Sequence, residues 1–236
     1  MTVASLIAAQ EAADARYDLY GTIHRALRMA EMSFLARIGA LDAADDAAVA
    51  AAMAELRRLL VLGRFHLTDE NDFIHTALEE RLPGASAGLA DDHEDHERSF
   101  VELEAFVEAI EAAEGSARRS AIRALYHRYA TFIAHDFEHM LEEETVILPM
   151  LHRLFTDAEL ADIEHRIVAS IPPEVMTDAL RLMFPAVDPV VRIEMLSGMR
   201  AVMPAEVFTG LVEGVVKPVL TDAEWRRVDA GLGLAA

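Results

Sequence analysis

The stretches GRFHLTDE (Gly63–Glu70) and HDFEHMLEE (His135–Glu143) decide how this chain is read. Each contains His-x-x-x-Glu, as His66/Glu70 and His139/Glu143. Residues four apart lie one above the other on a helix face. Each pair can therefore aim an imidazole and a carboxylate at one point. Burying such groups without compensation is costly, and a shared cation supplies a reason to bury them. The donors are nitrogen and oxygen with no thiol, a set that suits iron, manganese or zinc.

Six of the ten histidines, His24, His66, His93, His96, His135 and His139, fall on seams stepped by three and four residues. Around them the chain reads as long amphipathic helices rich in Ala, Leu, Glu and Arg, with almost no strand signal. The first is expected from about Ala12 to Ala40, with Tyr17, Tyr20, His24, Leu27, Phe34 and Ile38 facing inward. The second runs from about Ala47 to Arg81 through Leu56, Leu59, Gly63, His66, Glu70, Phe73 and Ala77, and stops at Leu82-Pro83-Gly84. The third runs from near Ala87 to Gly115 through Leu89, His93, His96, Phe100, Leu103, Val107 and Ile110. The fourth runs from about Ser116 to Phe155 through Leu125, Phe132, His135, His139, Glu143, Val146 and Met150.

Short connections make such helices antiparallel neighbours, so the fold class expected is all-α, an up-down-up-down four-helix bundle over 12–155. The levels agree: His24 lies sixteen residues before Ala40, and His66 nineteen after Ala47. His96 lies nineteen before Gly115, and His135 nineteen after Ser116. Beyond Phe155, Thr156-Asp-Ala-Glu159 and Thr221-Asp-Ala-Glu224 are capping boxes that open further helices. Residues 156–236 read as a helical extension that packs on the bundle or forms an interface.

The whole chain narrows the function classes. It has 236 residues, 53% of them apolar, and a net charge of −20 from 21 basic and 41 acidic residues. That balance argues against nucleic acid or an anionic membrane as partner. With no cysteine, disulfides, thiolate metal sites and cysteine nucleophiles are excluded. The N-terminus lacks the basic region of a secretory signal, and no stretch has the apolar length of a membrane span, so a soluble cytoplasmic protein is expected.

The inward candidates for metal ligands are His24, His66, Glu70, His93, His96, His135, His139 and Glu143. Either His93 or His96 can serve as ligand from the third helix, and His135 as a ligand or a proton relay. Against this stands the plainer reading of core histidines hydrogen-bonded to glutamates, which accounts for one such pair better than for two. Tyr20 and Tyr17 are core tyrosines or donors to a bound oxygen ligand. His75, His127, His152 and His165 are expected at the surface. A ferritin-like carboxylate bundle uses Glu-x-x-His, which occurs nowhere in this sequence.

His24, then His66-x-x-x-Glu70, then His93 and His96, then His139-x-x-x-Glu143 resembles the hemerythrin-like (HHE cation-binding) family, across about residues 12–155. The spacing is closer to bacterial His-x-x-x-Glu variants than to the invertebrate pattern. The resemblance implies a four-helix bundle with a non-haem di-iron centre of five histidines and two bridging carboxylates. His24, His66, His139 and one of His93 and His96 would be terminal ligands, Glu70 and Glu143 the bridges, and His135 the candidate fifth histidine. The implied cofactor is two iron ions with a bridging oxo or hydroxo group, manganese and zinc being chemically close alternatives. The expected function is to bind or reduce dioxygen, hydrogen peroxide or nitric oxide. A di-iron oxygenase or oxidase acting on an organic substrate, and a non-catalytic iron or oxygen sensor, are the alternatives. The partners expected are a small oxidant and either an electron donor or a second copy of the chain.

Overall fold

A computed structural model describes residues 2–233. It is all-α, and among the described residues there is no strand. Two compact units divide it: residues 1–21 with 30–171, and residues 22–29 with 172–236.

The first unit holds the helical bundle. Helix α1 covers Val3–Asp14, and α2 begins separately at Gly21 and ends at Gly39. The single helix expected from Ala12 is thus interrupted at 15–20. There the Asp18 carboxylate accepts hydrogen bonds from the backbone N–H groups of Tyr20 (3.0 Å) and Gly21 (2.9 Å), which starts α2 afresh. Helix α3 spans 46–81, α4 Ala87–Ala112, α5 115–154 and α6 Asp157–Ser170. Asp45 caps α3 by accepting from the Ala48 N–H at 2.9 Å. The turn from α3 to α4 is tied by Glu79, whose carboxylate accepts from the N–H of Gly84 and from the N–H and hydroxyl of Ser86. Gly84 there has φ of 86°, a conformation that favours glycine.

Helices α3 and α5 each contain one widened π turn, at Glu70–His75 and at Glu143–Ile147. A π turn accommodates one extra residue, so the apolar stripe beyond it moves on by one. This corrects the sequence reading in both helices. Ile74 and Leu78 are buried where Phe73 and Ala77 were expected, and Ile147 and Leu151 where Val146 and Met150 were. Val146 is exposed.

The bundle core is in two parts. One cluster includes Phe34, Ile38, Leu56, Leu60, Leu67, Phe100, Leu103, Leu125, Tyr129 and Phe132. The other includes Tyr20, Ile74, Leu78, Leu89, Ile147, Leu151, Phe155 and Leu160. Along α3, α4 and α5 the gap between the clusters is filled by Glu70, by His93 and His96, and by His139 with Glu143. Helix α6 belongs to this unit, so the compact unit runs to Ile171 rather than ending at Phe155. Arg16 ties α6 in: its guanidinium donates to Asp157 (2.6 Å) and to the carbonyls of His152 (2.9 Å) and Phe155 (3.0 Å).

The second unit contains residues 22–29 of α2 with α7 (Pro173–Ala186), α8 (Pro189–Val202), α9 (205–219) and α10 (Asp222–Leu232). Its core is Leu180, Phe184, Leu196, Phe208, Val212, Val216, Val228 and Leu232, lined by Met176, Met183, Met195, Met199 and Met203. Both capping boxes form as expected, at Thr156/Glu159 and Thr221/Glu224. Among the described residues no helix is long and apolar enough to cross a membrane.

Candidate metal centre

Each π turn begins at one of the two glutamates of the His-x-x-x-Glu pairs. Such turns recur at functional sites, where they re-aim side chains without ending a helix. Threonine hydroxyls serve the carbonyls around them: Thr76 donates to Asn71 O (3.0 Å) and Thr145 to Leu141 O (2.6 Å).

Between the two apolar clusters the donor atoms converge. His66 Nε2 lies 3.1 Å from Glu70 Oε1. The other oxygen of Glu70 is 3.5 Å from His93 Nε2. His93 Nε2 is 3.0 Å from His139 Nε2, and His139 Nε2 is 3.6 Å from Glu143 Oε1. Glu70, His93, His139 and Glu143 each place one ligand atom within 4.8 Å of the others, and His66 stands within that distance of both carboxylates. Glu70 and Glu143 are 1% and 0% exposed.

Burial favours the neutral form of three of the imidazoles, His93, His75 and His96. Burial pushes His93 down to about 2, helped by the neighbouring His139, His75 and His96. Burial also lowers His75 and His96, against the pull of nearby carboxylates. A neutral ring keeps the lone pair that a metal ligand requires. The Tyr20 phenol is raised well above its ordinary value by burial and then by Glu143 and Glu70, so it stays a protonated donor beside the carboxylates.

These groups fit a cation. Donor separations of 3.0–3.6 Å are those of atoms sharing a metal bound at roughly 2.0–2.2 Å. Two buried carboxylates beside imidazole nitrogens make a nitrogen and oxygen donor set of the kind that holds iron, manganese or zinc. The centre is therefore a buried His/Glu group able to hold metal.

The remaining expected residues are placed as follows. His24 is fully buried, within the stretch 22–29. His96 is buried and faces Asp136 at 3.5 Å, outside the converging set. His135 is exposed and does not join the buried set. The inward step on α5 runs Phe132, Asp136, His139, so the position assigned to His135 is taken by Asp136. Tyr17 donates to Glu164 rather than toward the centre. His127 and His165 are exposed as expected, and His152 is half-buried with its Nε2 on the Tyr17 carbonyl at 2.9 Å.

His75, expected at the surface, is buried at 5% exposure because the π turn carries it inward. Its ring stacks on His93 with centroids 4.9 Å apart. Asn71, also not expected at the site, places its amide oxygen 2.9 Å from His93 Nδ1 and 3.2 Å from His75 Nδ1. The apolar pairs Ile74/Leu78 and Ile147/Leu151, one position out of step with the stripes before them, are the signal from which the shift is readable.

A cleft of about 460 Å³ opens beside His93, with Leu67, Thr68 and Asn71 on α3 facing Ala90, Glu94 and Arg98 on α4. It gives solvent a route to the edge of the buried set.

No family model matches the chain. Two zinc finger proteins described as BRUTUS-like, both from Arabidopsis thaliana, are similar to it. One is 24% identical over 201 residues, covering 84% of this chain and 16% of the relative. The other is 27% identical over 188 residues, covering 78% of this chain and 15% of the relative. The chain thus spans about a sixth of the length of these curated relatives. It has no cysteine, so the similarity brings no thiolate zinc site with it.

Proposed function

We propose that this protein is a hemerythrin-like di-iron protein that binds or reduces a small oxidant. One observation carries the reading: Glu70 and Glu143 are both within ligand-sharing distance of His66 and also of His93 with His139. Two carboxylates common to two histidine groups are what a pair of bridged cations uses. In this reading His66 serves one cation, and His93 and His139 the other. Iron bound there would supply redox chemistry toward dioxygen, hydrogen peroxide or nitric oxide. Tyr20 places a protonated phenol near the Glu143 and Glu70 carboxylates that would hold the cations. The cleft at His93 admits small polar molecules, and the apolar clusters on either side keep bulk water out. An electron donor is the partner a reductive role requires.

A second reading, an oxygenase or oxidase acting on an organic substrate, is supported by the cleft volume, which exceeds the needs of a diatomic ligand. The test is to load the protein anaerobically with iron(II) and expose it to dioxygen, then to hydrogen peroxide, following the ultraviolet–visible spectrum. New charge-transfer bands with either oxidant and no organic co-substrate support oxidant binding or reduction. Oxidation that appears only with a co-substrate supports the second reading. Iron that stays spectrally silent toward both oxidants contradicts the first.

A further inference from the structure

Asn71 is exposed on α3, one residue beyond Glu70, yet its side chain reaches two buried rings. Its amide oxygen has two lone pairs and lies within hydrogen-bond distance of Nδ1 of both His93 and His75. The two rings are stacked at an interplanar angle of 21°, so one oxygen serves both from the same side. His139 has a corresponding neighbour: the Asp92 carboxylate is 3.5 Å from its Nδ1.

A neutral imidazole carries one ring proton. With that proton on Nδ1, donated to Asn71, Nε2 is left bare. For His93 the bare nitrogen faces His139 Nε2 and Glu70 Oε2. For His75 it is a buried nitrogen with no hydrogen-bond partner among the described residues. If the amide were turned, its NH₂ group would face both Nδ1 atoms and the protons would sit on Nε2. His93 would then direct an N–H at His139, with no lone pair left for a cation. The orientation of one carboxamide thus decides whether His93 is a ligand.

We propose that Asn71 is a positioning residue that holds His93 and His75 in the Nδ1–H form, turning both bare Nε2 atoms inward. The nitrogen of His93 then serves the cation, and that of His75 accepts from a protonated ligand of the centre, such as water or hydrogen peroxide. This rests on the metal-centre reading above. It goes beyond that reading by assigning tautomers and by adding two residues outside the ligand set. Outer partners of metal-bound histidines act in this way, and their loss weakens metal binding by roughly 10- to 100-fold.

The test compares wild type with Asn71→Leu and Asn71→Asp. The position is exposed, so both variants should fold, and circular dichroism checks this. Imidazole ¹⁵N NMR on metal-free protein near neutral pH reports the tautomers, and anaerobic titration with iron(II) reports the affinities. Wild type should show His75 and His93 protonated at Nδ1. Asn71→Leu should shift both toward Nε2–H and weaken one of two iron sites by roughly 10- to 100-fold. Asn71→Asp, which keeps an acceptor oxygen, should restore both signatures. Wild-type tautomers and affinities in Asn71→Leu would overturn the proposal. Wild type that takes up no iron, with tautomers that switch as stated, would remove the metal reading and still support the assignment of Asn71.

Discussion

Widened π turns occur in both units, at Glu70–His75 and Glu143–Ile147 in the bundle and at Val212–Val216 in the C-terminal unit. The backbone device is the same, and what it buries differs. In the bundle the turns open on Glu70 and Glu143, each fully enclosed among histidines. In the C-terminal unit the turn buries Val212 and Val216 among Leu180, Phe184 and several methionines. The C-terminal unit does bury one charge, Arg192, and satisfies it within itself. Its guanidinium donates to the carbonyls of Phe184 (2.6 Å) and Pro185 (3.2 Å) and to Glu224 (2.9 Å). The bundle buries the carboxylates of Glu31, Asp69, Glu70 and Glu143, and two of these, Glu70 and Glu143, stand among histidines. A π turn alone is therefore no sign of chemistry, whereas a π turn that opens on a buried carboxylate among histidines builds a group able to hold metal.

The contrast can be broken in several ways. The largest effect is expected from Glu70→Ala or Glu143→Ala. Each should lower iron from two equivalents per chain to one or none, measured by elemental analysis after anaerobic loading. Full occupancy in both variants would detach the carboxylates from metal. Phe184→Ala opens a cavity in the C-terminal core and should cost about 3–5 kcal/mol in that unit, with iron content unchanged. Trp225 is the only tryptophan and packs against this core, so its fluorescence in a urea titration reports on the C-terminal unit. A loss of iron in this variant would mean that the two regions are energetically inseparable.

Acid should act on both units through their caps. Hydrogen bonds from the Thr221 hydroxyl and backbone, then from Arg192, hold Glu224 down at about 2. Arg81 and then Thr156 do the same for Glu159. In each case the folded value lies below the ordinary 4.5, so the unfolded chain takes up protons first as pH falls. The stabilisation is complete above pH 4.5 and is lost on descent toward about pH 2. Glu224→Gln should flatten this acid dependence in Trp225 fluorescence, and Glu159→Gln should flatten the acid midpoint of the bundle. Unchanged acid profiles would show that the caps do not hold in solution. The smallest effect is expected from His135→Ala, which should leave iron content and stability unchanged within about 0.5 kcal/mol, because the side chain is exposed. A lost iron would return His135 to the site.

Much of the bundle was legible in the sequence because helix periodicity and capping are local. The stripes of α3 and α4, the stop at Pro83-Gly84 and both Thr-Asp-Ala-Glu capping boxes follow from residues three and four apart. The convergence of His66, Glu70, His93, His139 and Glu143 was legible for the same reason. Errors arose where the period changes or where a ring position is decided by tenths of a turn. The π turns displace everything after Glu70 and Glu143 by one residue, which hid His75, Ile74 and Ile147. On α5 a step of four from Phe132 to Asp136, then three to His139, puts His135 outside. Asn71 lies off the seam by helix spacing, an exposed amide gives no periodic signal, and only the folded distances show what it touches.

The central claim is that Glu70 and Glu143 lie between two cations. Anomalous diffraction at the iron edge from crystals of iron-loaded protein tests it most directly. The account predicts two peaks about 3.5–4 Å apart, flanked by these two carboxylates, with His66 at one and His93 with His139 at the other. A map with no peak there, or with iron only on surface acids, would contradict it and leave the buried histidines and glutamates as core packing.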